Sequence, residues 1–200
     1  MRSMASYEAR TRRFSLRRWT RHEYGRLIDH GFLDEDDPIE LLDGLLLVKE
    51  PQNSPHRTAV LLVAKAVERA FGEGWFVQTQ SPIILGDRSE PEPDICVVRG
   101  SPRDYVDAHP TRPALVVEVA QSGLRLARGR KAAAYARARI ADYWIVNLVD
   151  RVLEVHREPA RPGSARRHWG YAAIETLGAD ATITPLSAPS AGIPVADLLP

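Results

Sequence analysis

The stretch ALVVEVA, residues 114–120, is apolar at every position except Glu118, a pattern typical of a strand buried on both faces. A second run, PDICVV at residues 93–98, places Asp94 at the start of another buried strand. A carboxylate removed from water is costly unless it pairs with a cation, binds a metal ion or is protonated. We therefore expect Asp94 and Glu118 to lie close together at one end of a sheet, where their oxygens suit a hard divalent cation. Each acid taken singly is also consistent with half of a structural ion pair.

The rest of the chain alternates between helical and strand patterns around these two runs. Capping residues and helical periodicity predict three helices, at about residues 20–30, 54–72 and 125–138. Alternating or continuous apolar runs predict a hairpin at 39–48 around Asp43-Gly44 and strands at about 75–80, 82–85, 94–98, 114–120, 142–147 and 151–156. Residues 158–168 are predicted to form a loop, and the tail from residue 170 to hold short strand-like pieces. This order predicts an α/β (α+β) fold with a central mixed sheet flanked by helices.

Length and composition indicate one ordinary globular domain. The 200 residues are 44% hydrophobic and 26% charged, which excludes a wholly disordered or fibrous chain. We expect a basic arm at residues 1–17 and a single domain at 18–200. No apolar run approaches the roughly 20 residues that span a bilayer, so the protein is expected to be cytoplasmic. The single cysteine, Cys96, excludes an internal disulfide and a multi-cysteine zinc site.

Charge is unevenly distributed although the net charge is only +1. Residues 31–50 carry seven acids against one lysine, whereas residues 125–139 carry five arginines, one lysine and no acid. Basic segments beside an acidic cluster suit a metal-dependent enzyme that acts on a polyanion. Arginine outnumbers lysine 24 to three, so a background preference for arginine is an equally good explanation.

Lys131 is expected to point inward from the third helix. On a helical wheel it lies in a stripe of small residues with Ala127, Ala134 and Ala138. An inward ammonium needs an anionic partner, which Asp94 and Glu118 would provide if this helix packs over the end of the sheet. The alternative is a lysine at the edge of the stripe that extends its head group to solvent.

These residues, in this order, resemble a known family. Glu40, then Pro93-Asp94, then Glu118-Val119 are similar to the PD-(D/E)XK nuclease superfamily. The first helix with Trp19-Thr20, the Ile39–Gly44 segment, His56, and Lys131 through Tyr135 to Asp142–Val146 extend the similarity to the small bacterial Uma-type restriction endonucleases, over about residues 18–200. The resemblance implies a restriction-endonuclease-like core and phosphodiester hydrolysis dependent on a divalent metal.

The resemblance also implies roles for individual residues. Asp94 and Glu118 correspond to the metal-binding acids, with the carbonyl of Val119 as a further ligand, and Glu40 to an acid that supports the metal or its water. Residue 120, where the superfamily has its usual lysine, is alanine, and Lys131 corresponds to the lysine that this family has on the following helix instead. His56 and Gln80 correspond to positions that are often polar in the family and are expected to contact substrate or a water near the metal, although the place of His56 at a helix start fits a structural role equally well. Arg125 and Arg128 are departures from the family pattern: they would either weaken a second metal site or improve contact with phosphate, and we expect them to contact substrate.

The family implies Mg²⁺ or Mn²⁺ as cofactor and nucleic acid, with DNA favoured, as partner. A homodimer is compatible with the resemblance, and no membrane association is expected. Family members commonly have Asp where this chain has Gln121 or Ala127. The main alternative is therefore a catalytically weakened nuclease-fold module that binds nucleic acid or a protein partner. A glycoside hydrolase with two acids and no metal fits less well because only 7% of the residues are aromatic.

Overall fold

The computed structural model describes residues 15–34, 36–49, 52–161 and 168–200. The main helices are α1 (Arg21–Asp29), α2 (Ser54–Phe71) and α3, whose three consecutive parts are Leu124–Leu126, a π turn at Ala127–Lys131, and Ala132–Arg137. The strands are β1 (Ile39–Leu42), β2 (Leu45–Val48), β3 (Trp75–Thr79), β4 (Ile95–Arg99), β5 (Leu115–Ala120), β6 (Asp142–Asn147), β7 (Val152–Ala160), β8 (Gly170–Leu177), β9 (Thr182–Ile183) and β10 (Ile193–Pro194). Short 3₁₀ helices occupy Pro102–Tyr105 and Val195–Leu198.

Six strands form the central sheet in the order β3-β4-β5-β6-β7-β8. Every neighbouring pair is antiparallel except β5 and β6, which are parallel and are joined through α3. A parallel pair needs such a crossover because a tight turn cannot join strands that run in the same direction. The predicted mixed sheet flanked by helices is confirmed.

Each face of this sheet is covered by a different apolar layer. On one face, Val63 and Val67 of α2 belong to the same core as Val117 of β5 and Trp144 of β6. On the other face, residues of α3, including Ala132 and Ala136, pack with alternate residues of the same strands. The strands are therefore apolar in both directions, as the continuous run at residues 114–120 indicates.

The β1–β2 hairpin lies outside the central sheet. Its turn residues Asp43 and Gly44 have φ values of 52° and 74°. Glycine is needed at position 44 because an added Cβ would lie 2.8 Å from the Cβ of Arg18. A β-bridge between Leu41 and Glu90 connects the hairpin to the loop that precedes β4.

Three local predictions differ from the structure. Residues 82–85 are not a strand, since Pro82 has no amide hydrogen and the next three N–H groups donate to Pro91, Pro110 and Ser89, three separate loop partners. The segment from residue 170 begins with a full eight-residue strand, β8, because β7 offers it a continuous edge. The predicted loop at 158–168 begins later than expected, since β7 continues to Ala160.

Part of the predicted domain organisation lies outside the described residues. Of the expected arm at residues 1–17, residues 1–14 are not described, and neither are residues 162–167. Within the described part of the chain, no helix combines the length and apolar character needed to cross a membrane.

Candidate active site

Asp94 and Glu118 are brought together by the register of three strands. Thr79 pairs with Ile95 and Ile95 pairs with Val117, so the next position of each strand aligns Gln80, Asp94 and Glu118 in one row. The Gln80 N–H donates to the Asp94 carbonyl at 3.1 Å, which continues the ladder to this row. Directly opposed residues of neighbouring strands share one face of a sheet. The structure thus places the two predicted acids side by side.

The carboxylate of Asp94 is held by three groups. The Val119 N–H donates to its Oδ2 at 2.8 Å, and Nε2 of His56 lies 3.3 Å from the same oxygen. The side-chain amide of Gln80 donates to Oδ1 at 3.3 Å. His56 reaches this point because α2 begins at Ser54, where the Asn53 side chain caps the helix by accepting from the His56 N–H. The side-chain contacts fix the orientation of the carboxylate.

Glu118 is paired with two buried donors from α3. Nζ of Lys131 lies 2.9 Å from Oε1 and 3.1 Å from Oε2, and the Tyr135 hydroxyl donates to Oε1 at 2.6 Å. Lys131 and Tyr135 reach the same carboxylate because residues four apart lie on one face of a helix. Lys131 is only 7% exposed, so its head group points into the protein as predicted.

The hairpin adds a third carboxylate. Glu40 lies on β1 and is 2% exposed, with Oε2 3.3 Å from Nζ of Lys131. The same oxygen accepts the Glu92 N–H at 3.0 Å. Lys131 therefore connects two carboxylates, Glu118 of the central sheet and Glu40 of the separate hairpin.

These groups line one cavity at the end of the sheet. Glu40, His56, Gln80, Asp94, Glu118, Val119 and Lys131 all contribute to its walls. At its mouth, the Asn53 side chain donates to the Gln121 side chain at 2.7 Å and so links the start of α2 to the loop after β5.

Burial and the neighbouring charges shift the pKa values of three groups in the site. Burial, followed by the nearby carboxylates of Asp94 and Glu40, raises the pKa of Glu118 to about 7, although Lys131 and Tyr135 act in the opposite direction. Burial alone would lower the pKa of Lys131, but Glu118 and Glu40 outweigh it and raise that pKa. The hydrogen bond with Asp94 raises the pKa of His56 against the effect of burial.

Two predicted substrate contacts lie elsewhere. Arg125 is exposed on α3 and is outside the cavity lining. Arg128 directs its guanidinium to Glu154 of β7, with donor distances of 2.8 and 2.5 Å. Conversely, sequence reasoning assigned no role to Tyr135, although its spacing of four residues from Lys131 is a signal that would have placed it beside the same acid.

The donor set fits a divalent cation held by few protein ligands. Among the described residues, no group of three or more His, Cys, Asp or Glu side chains is placed to hold a metal ion. Mg²⁺ is commonly bound through one or two carboxylates, with waters and substrate phosphates completing its shell. Asp94 and Glu118 supply such a pair beside a third carboxylate, and a cation would offset their excess negative charge.

Comparison with known proteins shows the family to which this chain belongs. A model of the Uma2 family, described as "Putative restriction endonuclease", matches residues 21–196. The chain belongs to the Uma2 family. No curated protein matches it significantly. A crystal structure of "a putative nuclease belonging to DUF820 from Anabaena variabilis ATCC 29413" has a similar fold, with a TM-score of 0.67 and 15% identity over 86% of this chain and 96% of that chain.

Membership of the Uma2 family confirms the resemblance stated from the motifs. Together with the nuclease-like fold, it supports a nuclease. Restriction-endonuclease-like families generally use divalent metals. In this Uma2 chain the acids at positions 40, 94 and 118 and the lysine at 131 converge on one cavity.

Proposed function

We propose that this protein is a nuclease that hydrolyses phosphodiester bonds with Mg²⁺ or Mn²⁺, and that DNA is its substrate. The observation that carries the proposal is the convergence of Glu40, Asp94 and Glu118 from three separate elements around the buried Lys131. Burying so many charges in one place is costly for stability alone. Such an arrangement is typical of a site built for chemistry on a charged substrate.

Each residue has a proposed role that follows from its position. Asp94 and Glu118, with the carbonyl of Val119, would hold the cation, which supplies Lewis acidity and an activated water when bound. Lys131 places a positive charge and hydrogen-bond donors beside both Glu118 and Glu40, where it can orient the attacking water and offset charge on the phosphate. Glu40 keeps that ammonium in place and supports the water.

Polar groups around the cavity are proposed to contact the substrate. His56 and Gln80 both touch Asp94 at the cavity wall. The Nδ1 atom of His56 is buried and, within the described part of the chain, has no hydrogen-bond partner. Arg125 is exposed on α3 and can contact the phosphate backbone outside the cavity. A homodimer and a cytoplasmic location remain predictions.

The test is cleavage of plasmid, single-stranded DNA and RNA with Mg²⁺ or Mn²⁺. We expect DNA cleavage that stops with a chelator and is lost in Asp94→Asn and Glu118→Gln, since each change removes an anionic ligand with little change in volume. Asp29→Asn and Glu73→Gln are matched controls at exposed positions and should cleave normally. Thermal melting confirms that each variant is folded. Metal-independent cleavage, or full activity in both site variants, would refute the proposal.

A catalytically weakened binding module is the second candidate. It is favoured by Gln121 and Ala127, which stand where family members commonly have Asp. In the structure Ala127 is buried and Gln121 is bonded to Asn53, so both positions contribute to packing and local structure. Binding that weakens steeply with salt, without cleavage of any of the three substrates, would identify this alternative.

A further inference from the structure

The segment that carries Lys131 is a π turn rather than a regular α-helical turn. The Ala132 N–H donates to the carbonyl of Ala127, five residues earlier, and to that of Gly129, whereas an α-helix would use the carbonyl four residues earlier. A π turn contains one residue more than an α turn, and such turns are rare and occur frequently at functional sites. The hydrogen-bond register of the helix therefore changes within this turn, which ends at Lys131.

The carbonyl at the start of this turn has a second donor. The Tyr143 hydroxyl, on β6, donates to the Ala127 carbonyl at 3.0 Å. Tyr143 is fully buried, and its ring packs against those of Tyr135 and Tyr171. The start of the π turn is therefore attached to the central sheet.

The next residue of the turn is attached to the sheet through an ion pair. Arg128 donates to both carboxylate oxygens of Glu154 on β7, at 2.8 Å from Nε and 2.5 Å from Nη2. Glu154 is 5% exposed and also accepts from the Asn147 side chain at 2.9 Å. A two-point contact between a guanidinium and a carboxylate is directional as well as strong. Glu154 is held in place on its strand and can hold Arg128 in turn.

Lys131 ends the same turn and reaches Glu118 and Glu40. We propose that Tyr143 and the Arg128–Glu154 pair are positioning groups that fix the π turn and thereby aim Lys131 into the cavity. The inference rests on the proposed function only in that Lys131 serves cleavage. It gives Arg128 a positioning role in place of the phosphate contact expected from the sequence.

The two roles of Arg128 predict different kinetic results. If Tyr143 and the Arg128–Glu154 pair position the turn, Tyr143→Phe and Glu154→Gln each lower kcat by up to about 100-fold. Small misplacements of catalytic groups have effects of that size. KM and the salt dependence of DNA binding stay unchanged. If Arg128 contacts phosphate, Arg128→Gln reduces the salt slope of binding by about one and Glu154→Gln does not lower kcat. Arg130→Gln, exposed on the same turn, is the matched control.

A second readout does not depend on cleavage. The chain has only three lysines, Lys49, Lys65 and Lys131, so ¹⁵N-lysine labelling gives a spectrum that Lys131→Arg assigns directly. We expect the Lys131 ammonium signal to shift, and its hydrogen exchange to accelerate, in both Tyr143→Phe and Glu154→Gln. The Lys49 and Lys65 signals should stay in place, and Arg130→Gln should leave all three unchanged.

The outcomes separate this inference from the proposed function. A shifted Lys131 signal in folded variants supports the positioning role even if the wild-type protein cleaves nothing. An unchanged Lys131 signal in both variants, with melting curves showing that they are folded, overturns it even if the wild-type protein is an active nuclease. A reduced salt slope in Arg128→Gln with unchanged kcat in Glu154→Gln overturns it as well.

Discussion

Replacing Tyr135 by phenylalanine tests whether Glu118 is a charged, fully hydrogen-bonded group inside the protein. The change removes one hydroxyl, which donates to Oε1 of Glu118 at 2.6 Å in a wholly buried place, and keeps the ring. A hydrogen bond to a charged group contributes about 1.5–3 kcal/mol, against about 0.5–1.5 kcal/mol for a neutral pair. For a domain of this size, that loss corresponds to a fall in Tm of about 3–12 °C.

Tyr24→Phe is the matched control for this experiment. Tyr24 is also buried, but its hydroxyl donates to a neutral acceptor, the Ile39 carbonyl, at 2.9 Å. Urea unfolding at about pH 9, above the pKa of Glu118 of about 7, should show a larger loss of unfolding free energy for Tyr135→Phe than for Tyr24→Phe, with unchanged m-values. An equal or smaller loss for Tyr135→Phe would refute the assignment of a charged acceptor.

Two further predictions concern elements around the site. Burial lowers the pKa of His156 below its usual 6.5 despite the attraction of Glu154, so the unfolded chain binds this proton first as the pH falls. The contribution of His156 to the unfolding free energy should therefore fall from pH 7 to pH 5. The difference in unfolding free energy between wild type and His156→Gln should decrease over this range, because the opposite effects of His56 and Glu118 are common to both proteins and cancel. A constant difference would contradict the argument. Asn53→Ala removes the cap of α2 and should lower the unfolding free energy by about 1 kcal/mol. Asn53→Asp keeps the cap but loses the donor to Gln121, so equal losses in the two variants would show that the cap is not the cause.

The acids of the site could be found from the sequence because they break local patterns. Glu118 interrupts an apolar strand and Asp94 opens another, and burial of a lone carboxylate requires a partner wherever the chain places it. Strand pairing then brings the two acids together, since Asp94 and Glu118 lie opposite each other in the register. The resemblance, rather than the pattern, assigned Glu40 to the site.

The π turn and its contacts could not be found in the same way. A helical wheel assumes a constant rotation per residue, so it can indicate that Lys131 points inward but cannot show that the turn contains one extra residue. The partner of Arg128 is 26 residues away in sequence, on a strand whose pairing no local signal specifies. The prediction of a strand at 82–85 was wrong for the same reason, because tertiary contacts determine the backbone hydrogen bonds of these residues.

The hairpin that carries Glu40 is a structural unit separate from the central sheet. Its strands pair with each other, and its attachments to the rest of the molecule include the bridge at Leu41, the ion pair of Asp43 with Arg137 and the contact with Lys131. Local opening of this unit would withdraw Glu40 from the cavity while the six-stranded sheet stays intact. Activity would then disappear before the global unfolding transition, and amide exchange in β1 and β2 would report the difference.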